Sequence, residues 1–160
     1  MQQLIERSPD VIVLANFTGG YRDYVLGPTE NFEEAWIQAA IDTRRKLPSG
    51  AAIVVLGDTP EWQHQAPATC LSDNLEDIAP CKSPIEEIVD PKFQQLEREA
   101  ALASDATFIS TVDFLCSLTC SPIIGNQLVY RDRHHITATF SRTLANTLGR
   151  RVQTSMSVGN

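Results

Sequence analysis

The stretch DVIVLAN, residues 10–16, decides how the rest of this chain is read. Val11, Ile12, Val13 and Leu14 follow one another without a polar interruption, and the run ends in Ala15 and Asn16, which are small and turn-forming. A short, continuous, β-branched run of this kind predicts a strand buried on both faces, as in a parallel sheet. AAIVVLG at 51–57 and ATFIST at 106–111 have the same character and predict two further strands. Between the first two, Phe32, Ala35, Trp36, Ala39 and Ala40 recur at helical spacing. Asn31 with Glu34 caps the start of that helix, and it stops near LPSG. Asp90-Pro91 opens a second helix with Phe93, Leu96, Ala100 and Ala103 on one side. Thr137 is the expected N-cap of a third, which carries Phe140, Leu144 and Leu148 and stops at Gly149, leaving residues 151–160 as a flexible tail. Strand alternating with helix is the rhythm of a parallel α/β sheet, in which chemistry gathers beyond the carboxyl ends of the strands. Three strands make a thin sheet, and an apolar run such as VIVLAN makes a poor edge, because an open apolar edge invites association.

Composition narrows the function classes. The 160 residues carry a formal net charge of −7 and a pI near 4.9, so there is no basic face for nucleic acid. No apolar run approaches the roughly 18 residues of a membrane span. The opening MQQLIERSPD lacks the basic and apolar regions of a signal peptide. On these features alone the chain reads as cytosolic. The cysteines point the other way. Cys70, Cys81, Cys116 and Cys120 lie in loop sequence rich in Pro, Ser and Asp, where disulfides of small extracytoplasmic domains sit. Disulfides, free thiols and a metal site are the three readings, although only Cys116 and Cys120 have zinc-like spacing. If disulfides form, local pairing of Cys70 with Cys81 and of Cys116 with Cys120 is expected.

LVYRDRHHIT at 128–137 carries the chemistry. Asp132 precedes His135 by three residues, and an aspartate there can accept a hydrogen bond from the imidazole Nδ1–H. That fixes the tautomer and leaves Nε2 to take a proton from a hydroxyl. The alternative for such a pair beside a helix start is a local cap. His134, between them, reads as a surface or supporting residue. A nucleophile is harder to find. Gly57-Asp58-Thr59 mimics a Gly-Asp-Ser turn after a strand, but an internal threonine is crowded and Pro60 disrupts the helix that should follow. Ser8 precedes a strand and Ser110 lies inside one.

These segments together resemble a known family. PDVIVLANFTGGY, AAIVVLGDTPEW, the pair Cys70 and Cys81, and the block with Cys116, Cys120, Pro122, Asn126, Leu128–Val129–Tyr130–Arg131–Asp132, His135 and Thr137 look like the C-terminal SGNH domain of OafA-type bacterial membrane acyltransferases. The similarity runs from about Pro9 to Leu148 within a domain taken as residues 1–150. It implies a flavodoxin-like, three-layer α/β fold and a Ser–His–Asp mechanism in which Asp132 and His135 match the D-x-x-H motif. It also implies a place outside the cytoplasmic membrane, O-acyl groups of cell-envelope glycans as substrates, and no cofactor or metal. By the same resemblance the partners are an acyl donor, a surface glycan acceptor and a membrane acyltransferase domain. Asn16 matches the oxyanion asparagine after the third family strand, though the family's GxND context is absent and a plain turn residue is the alternative. The resemblance begins at that third strand. The serine block, the oxyanion glycine and two strands are therefore expected outside this chain, leaving about three parallel strands, with the open edge available to a complementing chain or a second copy. A non-catalytic remnant that binds glycan or a partner is the competing reading.

Overall fold

The computed structural model describes residues 6–22 and 31–157. In chain order the elements are β1 (Val11–Ala15), α1 (Thr18–Arg22), α2 (Phe32–Lys46), β2 (Ala52–Leu56), α3 (Pro67–Asp73), β3 (Ser83–Pro84), α4 (Ile85–Ile88) and α5 (Pro91–Ala103). They are followed by β4 (Thr107–Ile109), α6 (Val112–Leu115), β5 (Thr119–Cys120), β6 (Ile123–Ile124), β7 (Gln127–Leu128) and α7 (Ala138–Ser157). The residues group into two compact units, one of Met1–Asp58, Lys92–Ser110 and Val152–Asn160, the other of Thr59–Pro91 and Thr111–Arg151.

The first unit holds the sheet. Its three strands lie in the order β1-β2-β4, all parallel, so the fold is α/β as the strand–helix rhythm requires. Val11 is paired with Ala52 and Ala15 with Leu56, while Val54 to Leu56 pair with Thr107 to Ile109. One face of the sheet packs Ile12, Ile53, Ala101 and Ala106 into a core with Leu47 and Ala51, and Leu14, Val55 and Phe108 border it. Burial of β1 on both faces does not hold: Ile12 is buried, but Val13 on the opposite face is 48% exposed. The reason is its position, since among the described residues β1 pairs only with β2 and stands at the margin of the sheet. Helix α2 starts as expected, with the Asn31 side chain accepting from the Glu33 backbone N–H at 3.1 Å. It buries none of its residues fully. Ala35, Trp36 and Ala40 instead line a mostly apolar cavity of about 380 Å³ that also touches Leu14, Asn16 and Glu97.

The second unit is built from short elements tied by covalent and backbone bonds. Cys70 pairs with Cys81 and Cys116 with Cys120, with Cα separations of 5.7 and 4.2 Å. Ser83 and Pro84 pair antiparallel with Cys120 and Thr119, a contact between distant segments. A hairpin joins β6 to β7 through Gly125 and Asn126, both at positive φ (56° and 64°). Two such residues between strands match the type I′ turn that fits strand twist, for which glycine and asparagine are best suited. Trp62, Ile88, Leu115, Val129, Tyr130 and Phe140 form the core around Cys120. Helix α7 is capped as expected, the Thr137 hydroxyl accepting from Phe140 N–H at 3.2 Å. It does not stop at Gly149. The helix runs on to Ser157, so the segment from residue 151, read as a tail, is helical over its described part. A glycine inside a helix costs only about 1 kcal/mol relative to alanine, which is less than a terminator needs.

Candidate active site

Asp132 and His135 come together in the second unit. The His135 Nδ1 lies 2.8 Å from Asp132 Oδ2 and 3.1 Å from Oδ1. The carboxylate is held from its own loop as well: Oδ1 accepts the backbone N–H groups of His135 at 2.8 Å and His134 at 3.1 Å. These two backbone donors, with the His135 side chain added, keep the Asp132 carboxyl well below the usual carboxylate range. Asp132 is thus ionised at neutral pH and acts only as an acceptor. Since it can accept only a proton-bearing nitrogen, His135 carries its hydrogen on Nδ1 and presents Nε2 outward, with its side chain 55% exposed. The cap-like bonds and the side-chain pairing, alternatives in the sequence, coexist on the same carboxylate.

The loop that bears the pair is anchored on every side. Val129 and Tyr130, immediately before it, are fully buried, and Tyr130 packs edge-on against Trp62 at 5.5 Å between ring centroids. Arg131 N–H donates to the His135 carbonyl and Thr137 N–H to that of Val129, each at 2.8 Å. Trp62 N–H donates to the Arg133 carbonyl at 2.8 Å. The Thr59 hydroxyl donates to the His134 carbonyl at 2.5 Å. Thr59 is therefore a brace for this loop, its hydroxyl proton already committed, and this weighs against it as a nucleophile. His134 is also a structural partner: its ring lies 4.0 Å from that of His135, centroid to centroid. Asp132, His134 and His135 bring one ligand-type atom each within 4.8 Å of one another, but an ion seated there would compete for the Asp132–His135 hydrogen bond.

Asn16 belongs to the first unit, at the carboxyl end of β1, and lines its cavity. Beside it stands a residue that sequence reasoning missed. Glu97, on α5, is only 3% exposed and accepts from the Thr18 hydroxyl at 2.8 Å and from the Asp58 backbone N–H at 3.1 Å. Asp58 Oδ2 accepts in turn from Thr18 N–H at 2.6 Å. Burial is the main cause that raises the Glu97 carboxyl to about 7, with the nearby Asp58 charge adding to it and the two hydrogen bonds opposing. Gly57 permits this approach, because a Cβ there would meet Phe108 Cζ at 2.7 Å and Glu97 Oε2 at 3.4 Å.

The chain belongs to the SGNH domain family, described as fused to AT3 domains, which matches residues 1–150. No curated protein matches it. Among solved structures it resembles the periplasmic domain of the lipopolysaccharide acetyltransferase of Salmonella ser. Paratyphi A, with a TM-score of 0.67 and 18% identity. The alignment covers 94% of this chain and 59% of that one. At that identity the likeness is one of fold, and the α/β sheet described above agrees with it.

Proposed function

We propose that this chain is part of an SGNH domain that transfers or hydrolyses O-acyl groups on cell-envelope glycans, at the extracytoplasmic face of the membrane. The observation that carries the proposal is the 2.8 Å contact between His135 Nδ1 and an Asp132 carboxylate pinned by two backbone donors. This is the orienting half of a hydrolytic triad. His135 Nε2 takes the proton of an attacking hydroxyl as the O–C bond to the acyl carbon forms, and returns it to the leaving oxygen as the old ester bond breaks. Asp132 holds the tautomer and stabilises the imidazolium without itself being protonated. The Asn16 side-chain amide is the donor proposed for the tetrahedral oxyanion. The nucleophilic serine of such a mechanism is not assigned to a residue of this chain.

Three features support the setting. The family is described by fusion to AT3 domains, the structural neighbour is an acetyltransferase domain of the periplasm, and two disulfides suit an oxidising compartment. The partners follow: an acyl donor, a glycan acceptor and a membrane acyltransferase domain. Among the described residues, no helix is long and apolar enough to cross a membrane. The test is chromosomal replacement of His135 by Ala in the native host, with mass spectrometry of its surface glycans. O-acylation is expected to disappear while the protein is still detected at wild-type level. Unchanged O-acylation would overturn the catalytic reading in favour of a binding role.

A further inference from the structure

We propose that Glu97 is a positioning residue for Asn16, its carboxylate holding the backbone that carries the Asn16 amide by tying the turn after β1 to the turn after β2. The inference rests on the reading of Asn16 given above and deepens it. The geometry is a closed ring of three residues. Glu97 Oε1 accepts the Thr18 hydroxyl, Thr18 N–H donates to Asp58 Oδ2, and Asp58 N–H donates back to both Glu97 oxygens. Thr18 follows Asn16 by two residues and is fully buried, so a ring that holds Thr18 leaves the Asn16 backbone little freedom. The opposite side is equally fixed. Gly57 N–H donates to the Ile109 carbonyl at 3.0 Å, which ties the β2 exit to β4.

A leucine at position 97 would avoid burying a charge but would remove the acceptor that the Thr18 hydroxyl and the Asp58 N–H share, whereas the buried carboxylate offsets its desolvation through these bonds. What the carboxylate supplies, and an apolar side chain does not, is a directional acceptor for two separate turns. Among the described residues, the charged and titratable groups around it are the Asp58 carboxylate from the β2 exit and, from the cavity wall, Tyr21 on α1 and Arg44 on α2, with the Thr18 hydroxyl on α1 as a neutral donor. Arg98, next on α5, stacks its guanidinium 4.9 Å over Phe108 instead. A proton added to Glu97 therefore removes acceptor capacity that none of these groups replaces, and the turn carrying Asn16 should report it.

The experiment is NMR of the isotope-labelled chain between pH 5 and pH 9, following the Thr18 and Asp58 backbone amides and the Asn16 side-chain NH₂. All three are expected to share a midpoint near 7. Glu97→Gln should abolish that midpoint at all three while circular dichroism stays unchanged, and Asp58→Asn should shift it downward rather than remove it. Thr18→Ser, which keeps the hydroxyl, should retain the Asn16 response, and Thr18→Val should lose it. A midpoint at Thr18 and Asp58 without one at Asn16 would overturn the positioning role, as would no midpoint at any of them. Because no step uses activity, failure of Asn16→Ala to affect O-acylation would remove the catalytic reading of Asn16 and leave this result standing.

Discussion

Replacing Thr59 by Val separates the two roles open to that residue. The substitution keeps the branched shape and removes the hydroxyl that donates to the His134 carbonyl at 2.5 Å. A neutral hydrogen bond contributes about 0.5–1.5 kcal/mol net, and a carbonyl stranded away from water costs about 1–3 kcal/mol. Here the site is only partly buried and water can replace some of the loss, so about 1–2 kcal/mol is expected. With a urea slope of about 2 kcal/mol per molar, the midpoint falls by about 0.5–1 M. Thr59→Ser retains the donor and should lie near wild type. Treatment with a fluorophosphonate probe completes the experiment, and neither the wild-type chain nor the variants should be labelled. Loss in the Ser variant with none in the Val variant would mean that the methyl group, and not the hydrogen bond, supports the loop. Stoichiometric labelling of the wild-type chain at Thr59 would refute the brace and make the residue a nucleophile.

Three further outcomes are expected. Glu97, raised from 4.5 to about 7 in the folded chain, holds its proton more tightly folded than unfolded. Its neutral form therefore stabilises fully below about pH 4.5 and that stabilisation is lost as pH rises through 7, by about 3 kcal/mol at most. Glu97→Gln should flatten this slope in urea titrations across the same range, and an unchanged slope would contradict it. Non-reducing peptide maps of the secreted chain should show Cys70–Cys81 and Cys116–Cys120, and the Cys70→Ser, Cys81→Ser double variant should lose about 2–3 kcal/mol in denaturant titration, whereas crossed pairs or no loss would count against local pairing. Val13 leaves an apolar face on a marginal strand, so the chain should associate with rising concentration and Val13→Lys should reduce this in sedimentation; a monomer at every concentration would show the edge to be covered.

The strands were legible because continuous β-branched runs admit few alternatives, and Asp132 and His135 because both partners lie within one loop. What escaped was non-local. The exposure of Val13 depends on what flanks β1, which its own residues do not state. Glu97 sits in the run EREA and looks like part of a solvated face. Its signal was its place four residues after Phe93 and three before Ala100, on the apolar side of α5. The hairpin from Ile123 to Leu128 had a local signal in Gly125-Asn126 between Ile123-Ile124 and Gln127-Leu128, while pairing of Ser83 with Cys120 had none. Thr59 was discounted for the crowding of its hydroxyl and for Pro60, but its bond to the His134 carbonyl joins residues far apart in sequence and became visible only in three dimensions.

The role proposed for Asp132 is to fix His135 as a base with Nε2 free. Long-range ¹H–¹⁵N correlation of the labelled chain above the titration of the imidazole reads this directly. The Nδ1–H tautomer is expected at His135 in the wild type and is expected to be lost in Asp132→Ala, with His64 unmoved. An Nε2–H tautomer in the wild type, or an Nδ1–H tautomer indifferent to Asp132→Ala, would contradict it.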